Sequence, residues 1–454
     1  MPISQGVFKT TRIARQTAKG TLALTTGGQI VRREQSTFEL AKESYTTESE
    51  ITSTQQLLSN RHGVRLVNGK VTGILSPATY SDPLSAVLRR DFATVAAITA
   101  ASITIAGTGP SYTLTRGTGS FLTDGIKFGM GVRLTAGTFN VANLNKNMLV
   151  TSVTATVLTV MTMNASLPLV AEGPIAGATL SVPGKVTFSP VTSQTVVYHT
   201  VEEFYPDVPF SERNLDVKFT QASLSLPGTG NAKIDLTAIG LNQTNATTAY
   251  FTAPASETTS QSLVAASGVL LLGGSAIATV TDLSISIDGK GQPADGVVGT
   301  DIRPDVFVGK VMVSGSFTAY FDSGAIPALF VGEVSTSIAS ALASGSAANA
   351  DFMTFTMSDV RINTSTPSDN ETGLKRTYSY VAVLNAAGGA GAATERTTLS
   401  VQDSQAPKTH SPALRPQPLP RPGAFHFVAG VGALGTGFLT LQQLKENHAR
   451  PCKN

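Results

Sequence analysis

A chain of 454 residues is long enough for one large all-β body with an insertion, or for roughly two to four average domains. Charged residues make up only 14%, whereas serine and threonine number 42 and 59; with 42 Gly and 23 Pro, this composition predicts an all-β fold with one or two short helices. The net charge of +3 is concentrated at the ends, so residues 21–402 sum to about −5 and lack the broad basic patch that holds nucleic acid by its phosphates.

The opening MPISQGVFKTTRIARQTAKG scatters its charges and has no apolar run. It predicts neither a signal peptide nor a membrane anchor, and a chain made in the cytoplasm. Residues 29–76 read as extended segments around polar loops, and Asn68-Gly69 between two alternating runs predicts a tight hairpin turn. In SDPLSAVLRRDF, Asp82 is placed to cap and Pro83 suits the first helical position. Leu84, Val87, Leu88 and Phe92 then form one apolar stripe, so a helix packed on a sheet is expected. Composition shifts near residue 94 and returns near 186, and the short Thr-, Gly- and Val-rich runs between predict a small inserted β-domain over 94–185.

From 186 onward strands resume with period two: Leu215, Val217, Phe219; Ile234, Leu236, Ala238; Leu283, Ile285, Ile287; Val313, Phe317, Phe321. Opposite the third run stand Asp282, Ser284, Ser286 and Asp288, short hydroxyl and acidic side chains suited to a wetted surface. FDSGAIPALFVG predicts a second short helix capped by Asp322 or Ser323, ahead of strands near 334–342 and 352–362. Residues 385–394 and 403–422 are low-complexity connections, and 403–454 is expected to be a Pro-rich linker with a flexible extension. The apolar stretches Val264–Val280 and Gly423–Leu441 are too short or too interrupted for a membrane span. A single cysteine, Cys452, excludes a disulfide framework and a Cys-based zinc cluster.

No HExxH, GxSxG, Walker-type or GxGxxG motif occurs. His199 with Glu202 and Glu203 groups metal-ligand types, but two acids and a histidine near a strand end are expected to form a solvated loop. The Asn242–Thr244 and Asn370–Thr372 sequences are expected to be polar turns, and no carboxylate pair suggests a glycan-active enzyme. Neither catalysis nor a cofactor or metal is expected.

The segment ELAKESYTTESEITSTQQLLSNRHGVRL, followed by Gly69, Gly73, Tyr80 and the helix through Leu88, resembles the opening of the major tail tube proteins of long-tailed (siphovirus-type) bacteriophages. VGKVMVSGSFTAYF and MTFTMSDVRINT resemble that family's closing strands, and GSFLTDGIKFGMGVRL resembles the small inserted β-domain of one of its branches. The similarity spans roughly residues 29–400 and consists of spacing and strand order; the Pro-rich tract and GAFHFVAGVGALGTGFLTLQQLKENHARPCKN match nothing in it. It implies a β-sandwich tail-tube domain built discontinuously from 1–93 and 186–402, whose strands close into a barrel within a hexameric ring. Rings would stack into a hollow conduit for double-stranded DNA in the virion. The implied partners are further copies of the chain and the tape measure, tail terminator and tail tip proteins, with no membrane. On this reading the polar loop 41–62, with Glu43, Tyr45, Glu48, Glu50, Gln55 and Arg61, is the candidate contact with the next ring. The face of Asp282, Ser284, Ser286 and Asp288 is the candidate bore wall. The alternative is an adhesive, receptor-binding β-protein with the inserted domain as its binding head.

Overall fold

The computed structural model describes residues 3–46, 51, 53, 56–369, 371 and 373–405. It begins with β1 (Thr10–Arg15) and β2 (Gln29–Ile30), then a long hairpin of β3 (Gln35–Thr46) and β4 (Asn60–Ile74), then α1 (Ser81–Leu88). Asn68-Gly69 is not a turn, since both residues lie inside β4. Glycine is needed at 69 because the Phe38 ring on β3 lies across it, and a Cβ would run into that ring. Helix α1 buries Leu84, Val87 and Leu88, with Phe92 packed beside them. Asp82 does not cap it. Its carboxylate instead meets Arg15 Nε at 2.5 Å and His199 Nε2 at 3.0 Å, and the helix closes at Arg89 in the left-handed conformation.

Next come β5 (Ile98–Thr108), β6 (Ser111–Arg116), β7 (Gly131–Ala136), β8 (Met148–Val153), β9 (Val157–Thr162) and β10 (Glu172–Ser181), which close into a barrel in the order β10-β5-β6-β9-β8-β7. Alternate residues fill its interior, among them Ile103, Leu114, Val132, Val150, Leu158 and Leu180. The chain enters and leaves the barrel side by side: Ala93 and Val186 exchange both backbone hydrogen bonds, at 2.9 and 2.8 Å.

The remaining strands are β11 (Lys185–Phe188), β12 (His199–Tyr205), β13 (Phe210–Pro227), β14 (Lys233–Gly240), β15 (Asn242–Ala246), β16 (Val264–Leu272), β17 (Ser275–Ala276), β18 (Val280–Asp288), the small pair β19 (Gln292–Pro293) and β20 (Val306–Phe307), and β21 (Met312–Tyr320). After α2 (Ala325–Val331) come β22 (Thr336–Ala343), β23 (Phe352–Pro367), β24 (Lys375–Ala382) and β25 (Ser400–Asp403). Helix α2 starts after Gly324, and neither Asp322 nor Ser323 caps it. Asn242 lies in β15 rather than in a turn; Asn370 and Thr372 lie outside the described residues, as does all of 406–454.

The large sheet runs β3-β4-β14-β13-β18-β21-β24-β23-β22-β16, all antiparallel. Its inner face carries a row that crosses seven strands, Val71, Leu236, Ala222, Ile287, Val313, Ala382 and Val360, every member buried. The barrel packs on the outer face of β22 and β23. Ile338 and Leu342 therefore face the main core while Ala339, Ala341, Ala343 and Phe352 meet Phe128, Leu149 and Met163 of the barrel segment. Alanines on β22 let the two layers approach closely. Gln402 clips the contact, accepting from Gly131 N at 2.7 Å and donating to Gly131 O at 3.0 Å.

Candidate functional site

Residues facing one another across antiparallel strands point the same way, so the register defines the outer face of the large sheet. One row reads Gln35, Thr72, Asp235, Ser223, Ser286, Ser314, Val381, Arg361. Its neighbour reads Lys233, Ser225, Ser284, Ser316, Ser379, Thr364. The four residues singled out on β18 thus lie on one face at the middle of a continuous polar field. Hydroxyls bridge the strands there: Ser284 to Ser316 at 3.0 Å, Thr318 to Thr377 at 3.0 Å and Thr364 to Ser379 at 2.7 Å.

Three pairs of opposite charge lie on this field. Lys70 stands 3.8 Å from Asp235, Lys233 3.0 Å from Glu34, and Lys290 2.7 Å from Asp288. Burial alone would raise the Asp288 carboxyl, but the side-chain and backbone hydrogen bonds from Lys290 outweigh it and hold the group below its ordinary range. The field is hydroxyl-rich and close to neutral.

The hairpin β3–β4 leaves the body beyond Leu40. Every residue from Lys42 to Thr46 is exposed, as are Asn60, Arg61 and His62 on the partner strand, so this stretch is a two-stranded arm bare on both faces. Of the stretch read as a loop over 41–62, residues 41–46 and 60–62 are strand. Glu43 accepts from the Tyr45 hydroxyl and from Arg303, each at 2.7 Å, and Tyr45 lies opposite Arg61 with its ring over Gly63. Glu48, Glu50 and Gln55 lie outside the described residues. A brace at the arm's base was not foreseen: Arg65 pairs with Asp301 and donates to Asn242 at 2.9 Å. Only the distant fold brings residues 301–303 here, and no local pattern announces them.

His199, Glu202 and Glu203 do not form a solvated loop. They lie on β12, a strand buried on both faces, and the two glutamates diverge. Glu202 accepts from Arg12 at 3.2 Å, from the Ser211 hydroxyl at 2.6 Å and from the backbone of Tyr250 and Phe251. Glu203 pairs with Lys9 at 2.8 Å and accepts from Ser36. These bonds satisfy buried charge and hold the amino-terminal strand. Among the described residues no group of three or more His, Cys, Asp or Glu side chains is arranged to hold a metal ion, and no helix is long and apolar enough to cross a membrane.

Comparison with curated proteins finds no match. The model of a family described as phage tail tube protein matches residues 10–382, well over half the chain and including the whole polar field and the arm. On that match, and with a fold that is almost entirely strand, the chain belongs to the phage tail tube protein family and is a structural protein of the tail.

Proposed function

We propose that the chain assembles into six-membered rings that stack into the tail tube, with the polar field of the large sheet lining a bore through which double-stranded DNA passes. The observation that carries this reading is the polar field: hydroxyls from six strands with ion pairs set among them. A conduit must not bind its cargo. DNA phosphates sense fixed charge over about one Debye length, roughly 8 Å at physiological salt, and a wall of hydroxyls and neutralised pairs offers them no net attraction.

Two open sheet edges support ring closure. The outer edge of β3 has no partner strand among the described residues, and residues 361–367 of β23 pair only with β24. Both border the polar field, and edges so exposed invite pairing with another chain. The bare arm, with Glu43, Tyr45 and Arg61, is the contact offered to the next ring, because an isolated two-stranded ribbon is marginal in water until something packs on it. Tape measure, terminator and tip proteins would meet the tube inside and at its ends. Negative-stain microscopy of the purified chain at high concentration tests the proposal. Rings or tubes are expected, whereas monomers or trimers that adhere to bacterial cells would favour an adhesin using the barrel.

A further inference from the structure

Away from the polar field, Lys218 on β13 is buried, only 4% exposed, and its ammonium contacts one carboxylate. Lys218 Nζ lies 2.9 Å from Asp305 Oδ1 and donates to the Val306 carbonyl at 2.6 Å, with the Tyr198 ring 4.5 Å below it. Asp305 is held as firmly. Its Oδ1 accepts from the Val306 backbone N–H at 2.6 Å, and the Tyr198 hydroxyl reaches Oδ1 and Oδ2 at 3.1 and 3.2 Å. An amine, the carboxyl carbon it would attack, and two donors on the oxygen that would gain charge thus share one site. Such donors lower the barrier to acyl transfer.

We infer that Lys218 and Asp305 condense to an intramolecular isopeptide bond. The ammonium passes a proton to the Asp305 carboxylate, and the free amine attacks Cγ. Charge building on Oδ1 is met by Val306 N–H and the Tyr198 hydroxyl. The Cγ–Oδ2 bond then breaks, and the departing hydroxyl takes a proton from nitrogen. One N–C bond forms, one C–O bond breaks, and a single water leaves; no oxidant or cofactor is consumed. Burial favours the neutral amine and pushes the Lys218 ammonium below its usual range. The other charged groups nearby are Lys19 and Asp216, and burial raises the Asp216 carboxyl. Groups held in contact reach effective concentrations on the order of 10⁵ M or more, which draws forward a condensation that is unfavourable between free molecules in water. The link would pin β13, the longest strand of the sheet, to the segment that precedes β21.

Mass spectrometry of the full chain under denaturing conditions tests this. The expected mass is lower than that of the sequence by one water molecule, and a tryptic digest should contain a branched peptide joining Lys218 to Asp305, uncut after Lys218. Lys218→Arg and Asp305→Ala should each restore the full mass and linear peptides. Tyr198→Phe should leave a folded protein in which the linked fraction accumulates several-fold more slowly, an effect a merely structural contact would not produce. Full mass with Lys218 and Asp305 in separate linear peptides overturns the proposal. So does a water deficit traced to an Asp-Gly succinimide at Asp124, Asp288 or Asp295.

Discussion

Asp282 and Asp288 end the polar row of β18, but among the described residues only Asp288 has an ion-pair partner, Lys290, at 2.7 Å. Changing both to lysine converts a near-neutral patch into a cationic one repeated in every subunit. Assembly should persist, because these side chains make no core contact. DNA ejection from particles carrying Asp282→Lys/Asp288→Lys should slow several-fold at low salt and recover as salt rises; unchanged ejection at low salt would place this face elsewhere. Asp403 has a different fate. Burial pushes its carboxyl from an ordinary 3.8 to about 6, although Ser81 Oγ and the Ala78 and Gln405 amides donate to it. The folded state therefore binds this proton more tightly than the unfolded one. The associated stability is complete below about pH 4 and is lost as pH rises through 6. Urea unfolding of the native chain and Asp403→Asn should show the difference moving in favour of the variant by up to roughly 3 kcal/mol between pH 4 and 7. The alternation of residues 282–288 was legible because one side of β18 meets the core and the other meets water. Glu202, Lys218 and Asp216 were not. Their strands are buried on both faces, and the groups that neutralise them or donate to them, such as Arg12, Asp305 and Gly20, lie tens to about two hundred residues away in sequence.

The β3–β4 arm shows the same limit for an element. Beyond Leu40 both of its faces are polar, so the period that betrays a half-buried strand is missing, and a loop is the natural inference. Asn68-Gly69 misled in the opposite sense. The pair has turn chemistry, but at 69 the missing side chain makes room for Phe38. Joining Lys42 to Arg65 through a two-residue Asn-Gly turn removes the arm above the Asp301–Arg65 brace. The product should remain monodisperse and melt within a few degrees of the native chain, since almost no core is lost, yet form no tubes under the microscope. Tubes of normal length from this variant would remove the arm from ring stacking.

For the whole molecule, the composition shifts near 94 and 186 fall beside the paired Ala93 and Val186, but nothing in the sequence told how the intervening barrel sits. Thr354 and Thr356 are polar residues of β23. They are buried, and Thr356 Oγ1 donates to Gly129 O. Replacing residues 94–185 by a short Gly/Ser linker should therefore be easy for the chain and bad for the surface. Bare excision exposes Leu271, Ala341 and Phe352 together and should give insoluble protein. With Leu271→Thr, Ala341→Ser and Phe352→Thr added, soluble protein that still forms tubes is expected. Failure of that variant to fold would make the barrel part of the main core.

The neck between Ala93 and Val186 separates two requirements that inserted modules usually confound. Any module whose ends lie one strand spacing apart meets the first at little entropic cost, whatever its size. The second is a matched underside for β22 and β23. Exchange of such modules between related genomes should therefore leave a footprint away from the junctions, with the residue types at 271, 339–343 and 352–356 changing in step with those at 128, 149 and 163. The compatibility of a foreign module would be legible in those few positions before any graft is made.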